Sequence, residues 1–256
     1  MQKLTLGLSD LGMRLTSSQV EQFETYYREL VEWNGRMNLT SITDYGEVQI
    51  KHFLDSLTVT LALTEEEMSK THLSIIDIGT GAGFPGLPLK IFLSQPRLVL
   101  LDSTAKKAAF LRHVVEKLKL VNVEIVTGRA EEAAHSPRYR EQFDLVVSRA
   151  VAELSALVEL ALPFCRIGGT FVAQKKGKIS PEVDRAGRAI DVLGGRLEQV
   201  KQIALPGMSD ERYLIVVKKV GPTPDKYPRR SGIPQRRAIQ EESQRESSPG
   251  ELRKQS

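Results

Sequence analysis

The stretch DIGTGAGFPGLPLKI, residues 77–91, places four glycines between a short apolar run and an apolar segment with helical spacing. The run LSIIDI before it is rich in β-branched residues, which predicts a strand ending at about Asp77. The segment PGLPLKIFL after it predicts a helix. At the carboxyl end of a parallel strand, glycines let a ligand lie against the main chain. The stretch therefore predicts a Rossmann-like strand, turn and helix with a ligand at the turn.

The chain after residue 73 alternates between β-rich runs and helical patterns. The runs LSIIDI, RLVLLD, NVEIVTG and FDLVVS are each followed by a helical segment. This alternation predicts βαβ units and a mostly parallel sheet in an α/β fold. Three more runs, GTFVAQKK, RLEQVKQIAL and RYLIVVKK, complete a predicted seven-stranded sheet. Because the last two are close in sequence, they predict an antiparallel hairpin at one edge.

Two segments flank the predicted Rossmann-like domain of residues 71–220. Residues 1–70 are expected to form a helical N-terminal cap, in which residues 16–34 carry an apolar stripe opened by a capping box of Ser18 and Glu21. Residues 221–256 are rich in Pro, Gly, Ser and charge, which predicts a basic, flexible C-terminal arm that is largely disordered when alone.

Composition narrows the class of protein. The chain has 256 residues, 41% of them hydrophobic, as expected for one soluble α/β domain with extensions. It has no apolar run of about 18 residues and no charged-then-apolar leader, so a cytoplasmic protein without a membrane partner is predicted. The single cysteine, Cys165, is interpreted as a core residue, and the four histidines lack metal-ligand spacing, so no metal site is predicted.

The glycine turn is compatible with two adenosine cofactors. Residues 81–86, GAGFPG, match G-x-G-x-x-G, which weakly indicates a dinucleotide. The acidic residue at the strand end repels a pyrophosphate but suits the ammonium and sulfonium of S-adenosylmethionine, and Pro85 and Pro88 remove amide donors that a pyrophosphate needs. S-adenosylmethionine is therefore favoured over NAD. The residues assigned to this turn are Asp77, Gly79, Gly81 and Gly83.

The next three strands deliver further candidates to the same sheet edge. Asp102 ends the second strand and is predicted to accept hydrogen bonds from the ribose hydroxyls, a role compatible with capping the following helix. After the third strand, the Ala130 amide and Glu131 are expected at the rim of the adenine. Arg149 ends the fourth strand, where a transferable methyl would point, although an ion pair with Glu131 or Glu153 is an open alternative.

Several segments together resemble the bacterial RsmG (GidB) family of small-subunit ribosomal RNA methyltransferases: DIGTGAGFPGLPLKI, LDSTAKKAAFLRHV, GRAE, FDLVVSRAVAEL and KYPRRSGIP. The resemblance extends from NLTSIT and HFLDSL to KYPRRSGIP. It implies a Rossmann-like class I methyltransferase that methylates N7 of a guanine in the 530 loop of 16S ribosomal RNA, with S-adenosylmethionine as cofactor. The substrate would be the small ribosomal subunit or an assembly intermediate, and the protein is expected to be a monomer. The implied cofactor contacts are Gly79, Phe84, Asp102, Ser103, Thr104, Ala130, Glu131 and Arg149.

The chemistry of that reaction agrees with the residues. Guanine N7 carries a lone pair and no proton, so its attack on a methyl group needs alignment, worth roughly 7–11 kcal/mol, and no general base. No catalytic acid–base pair is predicted. Arg149 is the positioning candidate, and it is expected to engage O6 or a phosphate, because a donor on N7 would block the nucleophile.

Basic side chains for RNA are expected at the end of the fifth strand and in the arm. The arm has no acidic residue between Lys226 and Arg237, which favours phosphate contact, with a solvated charged tail as the alternative. The assigned residues are Lys175, Lys176, Lys226, Arg229, Arg230, Arg236 and Arg237.

Two other functions stay open at this point. An NAD-dependent oxidoreductase would rest on GAGFPG, but it needs a substrate domain that the sequence does not show. A ribosome-assembly or RNA-binding module would use the Rossmann-like fold to sense the cofactor without turnover.

Overall fold

The computed structural model describes residues 1–149 and 151–239. Within these residues the strands are β1 Ser74–Ile78, β2 Arg97–Asp102, β3 Val123–Thr127, β4 Phe143–Arg149, β5 Cys165–Lys176, β6 Gly195–Ile203 and β7 Arg212–Lys219. They form one seven-stranded sheet in the order β3-β2-β1-β4-β5-β7-β6. The pairs from β3 to β5 are parallel, and β7 pairs antiparallel with both β5 and β6. The predicted sheet and its antiparallel edge hairpin are confirmed.

The helices of the described residues cover both faces of this sheet. They are α1 Gln2–Asp10, α2 Ser17–Met37, α3 Tyr45–Val48, α4 Asp55–Leu57, α5 Glu65–Met68, α6 Gly86–Leu93, α7 Ala105–Lys117, α8 Ala130–Ala133, α9 Leu154–Ala161, α10 Ser180–Val192 and α11 Ile233–Arg236. A π-helical segment, Gln49–Leu54, joins α3 to α4, and 3-10 turns follow α4 and α9 at Thr58–Ala62 and Leu162–Phe164. None of the described helices is long and apolar enough to cross a membrane.

Two hydrophobic cores lie on opposite faces of the sheet. Parallel strands are buried on both faces, which is why their sequences are almost continuously apolar. One core joins the sheet to the N-terminal helices, and Phe23, Phe53 and Phe110 are fully buried in it. The other core lies under α9 and α10 and contains Phe164 and Cys165. The N-terminal helices therefore share one hydrophobic core with the sheet.

The capping box of helix α2 lies two residues earlier than the predicted one. The box is formed by Thr16 and Gln19: the Thr16 hydroxyl accepts from the Gln19 amide, and the Gln19 side chain accepts from the Thr16 amide at 2.9 Å. Ser18 and Glu21 have the same spacing, so local sequence does not separate the two. The tertiary structure does, because the Gln19 side-chain amide also donates to the Ile91 carbonyl at the end of α6.

The C-terminal segment 221–239 packs against the body of the protein, which differs from the predicted flexible arm. Arg140 donates to the main-chain carbonyls of Thr223 and Tyr227, each at 2.9 Å. Tyr227 and Ile239 are buried in the second core. The segment lacks a long apolar run, so its docking rests on side chains of the body that bind its backbone. The rest of the predicted arm, residues 240–256, lies outside the described residues.

Candidate functional site

Two neighbouring cavities open at the carboxyl ends of the parallel strands. We call the first the cofactor cleft; it is lined by residues at or just after the ends of β1, β2 and β3, among them Gly79, Asp102 and Glu131. We call the second the target cavity; it has a volume of about 560 Å³ and is lined by residues from the N-terminal helices, β4, β5 and β7. Val151 lines both cavities. The site therefore has two compartments with one shared wall.

Asp77 stabilises the glycine turn through two hydrogen bonds. Its Oδ2 accepts hydrogen bonds from the Thr80 hydroxyl at 2.6 Å and from the Gly86 amide at 2.8 Å. Its Oδ1 is buried without a partner among the described residues, and burial raises the pKa of Asp77 to about 6. Asp77 is fully buried and does not line the cofactor cleft. The structure thus places this predicted cofactor residue where it fixes the path from β1 into α6.

The glycines differ in what surrounds them. Gly81 has φ +62°, and a Cβ there would meet only the Gly79 carbonyl, 4.0 Å away, so this side of the turn is open. At Gly83 a Cβ would lie 2.6 Å from the Tyr26 hydroxyl. That hydroxyl donates to the Ala82 carbonyl at 2.5 Å. Helix α2 therefore braces the turn at Gly83, while Gly81 leaves room for a ligand.

The predicted ribose residue lies in the wall of the cofactor cleft. Asp102 is buried, and its Oδ2 accepts from the Gly81 amide at 2.9 Å and from Lys107 Nζ at 3.3 Å. Its Oδ1 accepts from the Thr104 amide at 2.9 Å, just before α7. One carboxylate thus joins the glycine turn to the residue before α7. The alternative that Asp102 caps this helix is wrong, because the N-cap residue is Thr104. Ser103, Ala130 and Glu131 line the same cleft, whereas Thr104 does not.

The donors and acceptors of the cleft fit S-adenosylmethionine better than a dinucleotide. Carboxylates of Asp102 and Glu131 and apolar side chains of Ile78 and Leu101 line it, which suits the ribose and adenine that both cofactors share. The amide of Gly86, the first residue of α6, is already bound by Asp77. A pyrophosphate needs such amides, and the preceding residue is a proline, which has none. The geometry weighs against the NAD alternative.

Arg149 lines the target cavity and is not among the residues that line the cleft. Its Nη1 donates to the Asp55 carboxylate and to the Lys51 carbonyl, both at 3.1 Å. The alternative of an ion pair with Glu131 or Glu153 is wrong in its partners, because Arg149 pairs with Asp55, from the N-terminal helices. Sequence reasoning could not place that helical segment over the end of β4.

An aromatic layer supports the Arg149 guanidinium. The guanidinium carbon lies 4.9 Å from the centroid of the Phe84 ring, and the His52 ring stacks on Phe84 with centroids 4.6 Å apart. Burial, together with the charge of Arg149, lowers the pKa of His52 to about 3, so the imidazole is neutral. Its Nε2 lies 2.8 Å from the Thr40 hydroxyl. Phe84 is buried and outside the cleft lining, so the structure assigns this expected cofactor contact to the support of Arg149.

Asp55 and Gln174 are functional candidates that the sequence reasoning did not name. Asp55 is 3% exposed and also lies 3.7 Å from Arg212, a second arginine of the target cavity. The Gln174 side-chain amide donates to the Asp55 carbonyl at 2.6 Å, and its oxygen is buried without a partner in the described part of the chain. A usable signal was present for Asp55, because HFLDSL sets Asp55 and Ser56 within an apolar helical pattern.

The predicted RNA-contacting residues fall into two groups. Lys175 and Lys176 line the target cavity, and Lys176 is exposed, whereas Lys175 is held by Glu182 and donates to the Ala152 carbonyl at 2.5 Å. Arg229 is paired with the fully buried Glu159 at 2.6 Å, and its side chain is 30% exposed. The remaining arm residues are exposed: Lys226, Arg230, Arg236 and Arg237.

No group of three or more His, Cys, Asp or Glu side chains within the two described ranges is arranged to hold a metal ion. The sequence predicted that the protein has no metal site, and this stays a prediction.

The fold is that of the class I methyltransferases. A solved structure of a SAM dependent methyltransferase from Aquifex aeolicus has the same fold, with a TM-score of 0.50 and 14% identity, covering 70% of this chain and 96% of that chain. Residues 19–212 match the model of the GidB family, described as rRNA small subunit methyltransferase G. The chain belongs to this family, which confirms the resemblance carried by its motifs.

Curated relatives match over nearly their full length. A ribosomal RNA small subunit methyltransferase G of Dehalococcoides mccartyi is 51% identical over 234 residues, covering 91% of this chain and 97% of the relative. A protein of the same name from Roseiflexus castenholzii is 51% identical over 228 residues, covering 89% and 95%. Membership of this family, together with the fold, makes the chain a methyltransferase, and S-adenosylmethionine is the cofactor of its class.

Proposed function

We propose that this protein transfers a methyl group from S-adenosylmethionine to N7 of a guanine in the 530 loop of 16S ribosomal RNA. The observation that carries the proposal is the shared wall at Val151, which places a recess lined by Asp102 and Glu131 beside a second, larger cavity with an arginine in it. A methyl transferase needs this arrangement, because donor and acceptor must meet at near-attack distance. The names of the relatives support small-subunit ribosomal RNA as the substrate class.

The cofactor cleft supplies the binding groups. Asp102 is in place for the ribose hydroxyls, and Ser103, Ala130 and Glu131 form the wall beside it. The open side of Gly81 leaves space along the main chain for the amino-acid part. S-adenosylmethionine, when bound there, supplies an electrophilic methyl group.

The target cavity positions the base without removing a proton. Its buried titratable groups are already engaged, since Asp55 is paired with Arg149 and the neutral His52 is stacked on Phe84 and bonded to Thr40. This suits guanine N7, whose lone pair is free at neutral pH. Arg149 would engage O6 or a phosphate and so fix the orientation of the ring, while N7 faces Val151 and the cleft beyond it.

Exposed cations beside both cavities would hold the RNA backbone. Lys176 stands at the mouth of the target cavity, and Lys226 and Arg230 line a further opening of about 550 Å³ on the arm. We propose that these side chains contact phosphates, which makes binding dependent on salt.

The test is methyl transfer with mapping of the modified base. Full-length protein would be incubated with labelled S-adenosylmethionine and with either naked 16S RNA or small subunits from a strain that lacks the enzyme. The proposal expects one N7-methylguanine in the 530 loop. Tight cofactor binding without transfer to either RNA would instead favour the cofactor-sensing, non-enzymatic module.

A further inference from the structure

The segment 221–239, here named the strap, forms part of the cofactor cleft. Gln235, in α11, lines the cleft together with Gly79 and Asp102. The Gly232 amide donates to Glu131 Oε1 at 2.9 Å, so the turn before α11 lies directly on a cleft residue. The strap therefore supplies a wall that the seven strands and their loops do not.

One ion pair, formed on a buried carboxylate, fastens this wall. Glu159, in α9, is fully buried, and its carboxylate accepts from Arg229 Nε at 2.9 Å and Nη2 at 2.6 Å. It also accepts from the Arg229 main-chain amide at 2.8 Å. Arg229 Nη2 in turn donates to the Arg237 carbonyl at 2.6 Å, at the other end of α11. The pair thus holds both ends of the turn that carries Gln235.

The strap and the rest of the cleft wall are attached to the protein in different ways. The turns opposite the strap are tied to the sheet through their backbone: the Gly79 amide donates to the Leu101 carbonyl at 2.8 Å, and the Gly128 amide donates to the Asp102 carbonyl at 3.1 Å. The strap is held by side chains alone along much of its length, so it is the wall that can move.

We propose that the strap closes on the adenosine end of the bound cofactor, and that Glu159, acting through Arg229, is the positioning residue that holds it closed. The inference rests on the proposed function in that the cleft takes S-adenosylmethionine. Cofactor binding and strap docking then stabilise one another. Because exposed Lys226, Arg230 and Arg236 lie on the same strap, the cofactor also orders cations available to RNA.

Calorimetric measurement of the affinity for S-adenosylhomocysteine tests whether the Glu159–Arg229 pair holds the strap closed. Arg229→Lys keeps the charge but loses the two-pronged contact with the carboxylate. Gln235→Ala removes an exposed side chain from the cleft wall with little risk to folding. We expect each to raise the dissociation constant roughly tenfold or more. There are two matched controls. Arg166→Lys alters an arginine pair with Asp144 near the amino ends of β4 and β5, away from the cleft. Gln199→Ala removes an exposed side chain from β6.

Trypsin provides a second readout that does not use activity. Lys226, Arg230 and Arg236 are exposed sites on the strap, so S-adenosylhomocysteine should slow their cleavage severalfold in the unaltered protein and less in Arg229→Lys. Equal affinity of Arg229→Lys and Gln235→Ala to the unaltered protein, or strap cleavage unaffected by ligand, would overturn the inference. Failure of the unaltered protein to bind the ligand would instead overturn the proposed cofactor site, which keeps the two failures distinct.

Discussion

Replacing Asp55 with asparagine should damage the target cavity and the fold together. Asp55 is 3% exposed and lies 3.1 Å from Arg149 and 3.7 Å from Arg212, so its charge compensates two guanidinium groups in a nearly dry environment. Removing one partner from a buried ion pair costs about 3–5 kcal/mol. Asparagine keeps one acceptor oxygen, so we expect the free energy of unfolding to fall by about 3 kcal/mol, at the lower end of that range.

The assay is paired denaturation and turnover. A loss of about 3 kcal/mol corresponds to a fall in melting temperature of about 6–12 °C for a chain of this size. Methyl transfer to RNA should fall as well, because Arg149 loses the group that aims it, while affinity for S-adenosylhomocysteine stays within about twofold, since Asp55 does not line the cleft.

Asp210→Asn is the matched control. Asp210 is 55% exposed and lies 3.6 Å from the same arginine, Arg212. An exposed pair contributes about 0–1 kcal/mol, so this variant should melt close to the unaltered protein. An Asp55→Asn variant that is as stable as Asp210→Asn would refute the reasoning that Asp55 is the buried counter-ion of the cavity.

Three further predictions concern stability and RNA binding. His52 has a pKa of about 3 in the folded protein against about 6.5 in the unfolded chain, so between these values the unfolded state binds more protons. The contribution of His52 to stability is therefore lost as pH falls from about 6.5. Relative to His52→Gln, the unaltered protein should lose about 1–2 kcal/mol of its free energy of unfolding between pH 7 and 5, measured by urea denaturation. Tyr26→Phe removes a fully buried hydroxyl that donates to the glycine turn, and its free energy of unfolding should fall by about 1–2 kcal/mol. Lys176→Ala should weaken RNA binding and reduce the slope of log affinity against log salt by about 0.7–0.9.

Each of these has a control or a contrary result. The raised pKa of Asp77 changes stability in the opposite direction over the same pH range, and it is common to both proteins in the His52 comparison, so only their difference is interpreted. A constant difference would contradict the buried neutral imidazole. Tyr27→Phe, whose hydroxyl donates at the surface, should cost less than about 0.5 kcal/mol. An unchanged salt slope in Lys176→Ala would remove this lysine from the phosphate contacts.

The sequence predicted those features whose cause is local. Strands, helices and the edge hairpin follow from the spacing of apolar residues, and the glycine turn follows from residues 77–86 alone. The same locality brought Asp102, Ala130 and Glu131 to one edge, because parallel strands end together. These inferences needed only the rules of βαβ topology.

What the sequence could not supply is the pairing of distant segments. Asp55 meets Arg149 across 94 residues, and Glu159 meets Arg229 across 70. Nothing in the spacing of the chain says that the N-terminal helices cover the end of β4, so the counter-ion of Arg149 was sought among nearby glutamates. The strap was expected to be flexible because its composition is polar, yet buried side chains of the body bind its backbone.

The central claim is a division of labour, in which the cleft binds the cofactor and the target cavity positions the base. Its most direct test is Arg149→Lys, measured for single-turnover methyl transfer to small ribosomal subunits and for S-adenosylhomocysteine affinity in the same preparation. The account predicts a methyl-transfer rate lower by about 10–100-fold with affinity within about twofold. A loss of affinity that matches the loss of rate would place Arg149 in the cofactor site and contradict the division.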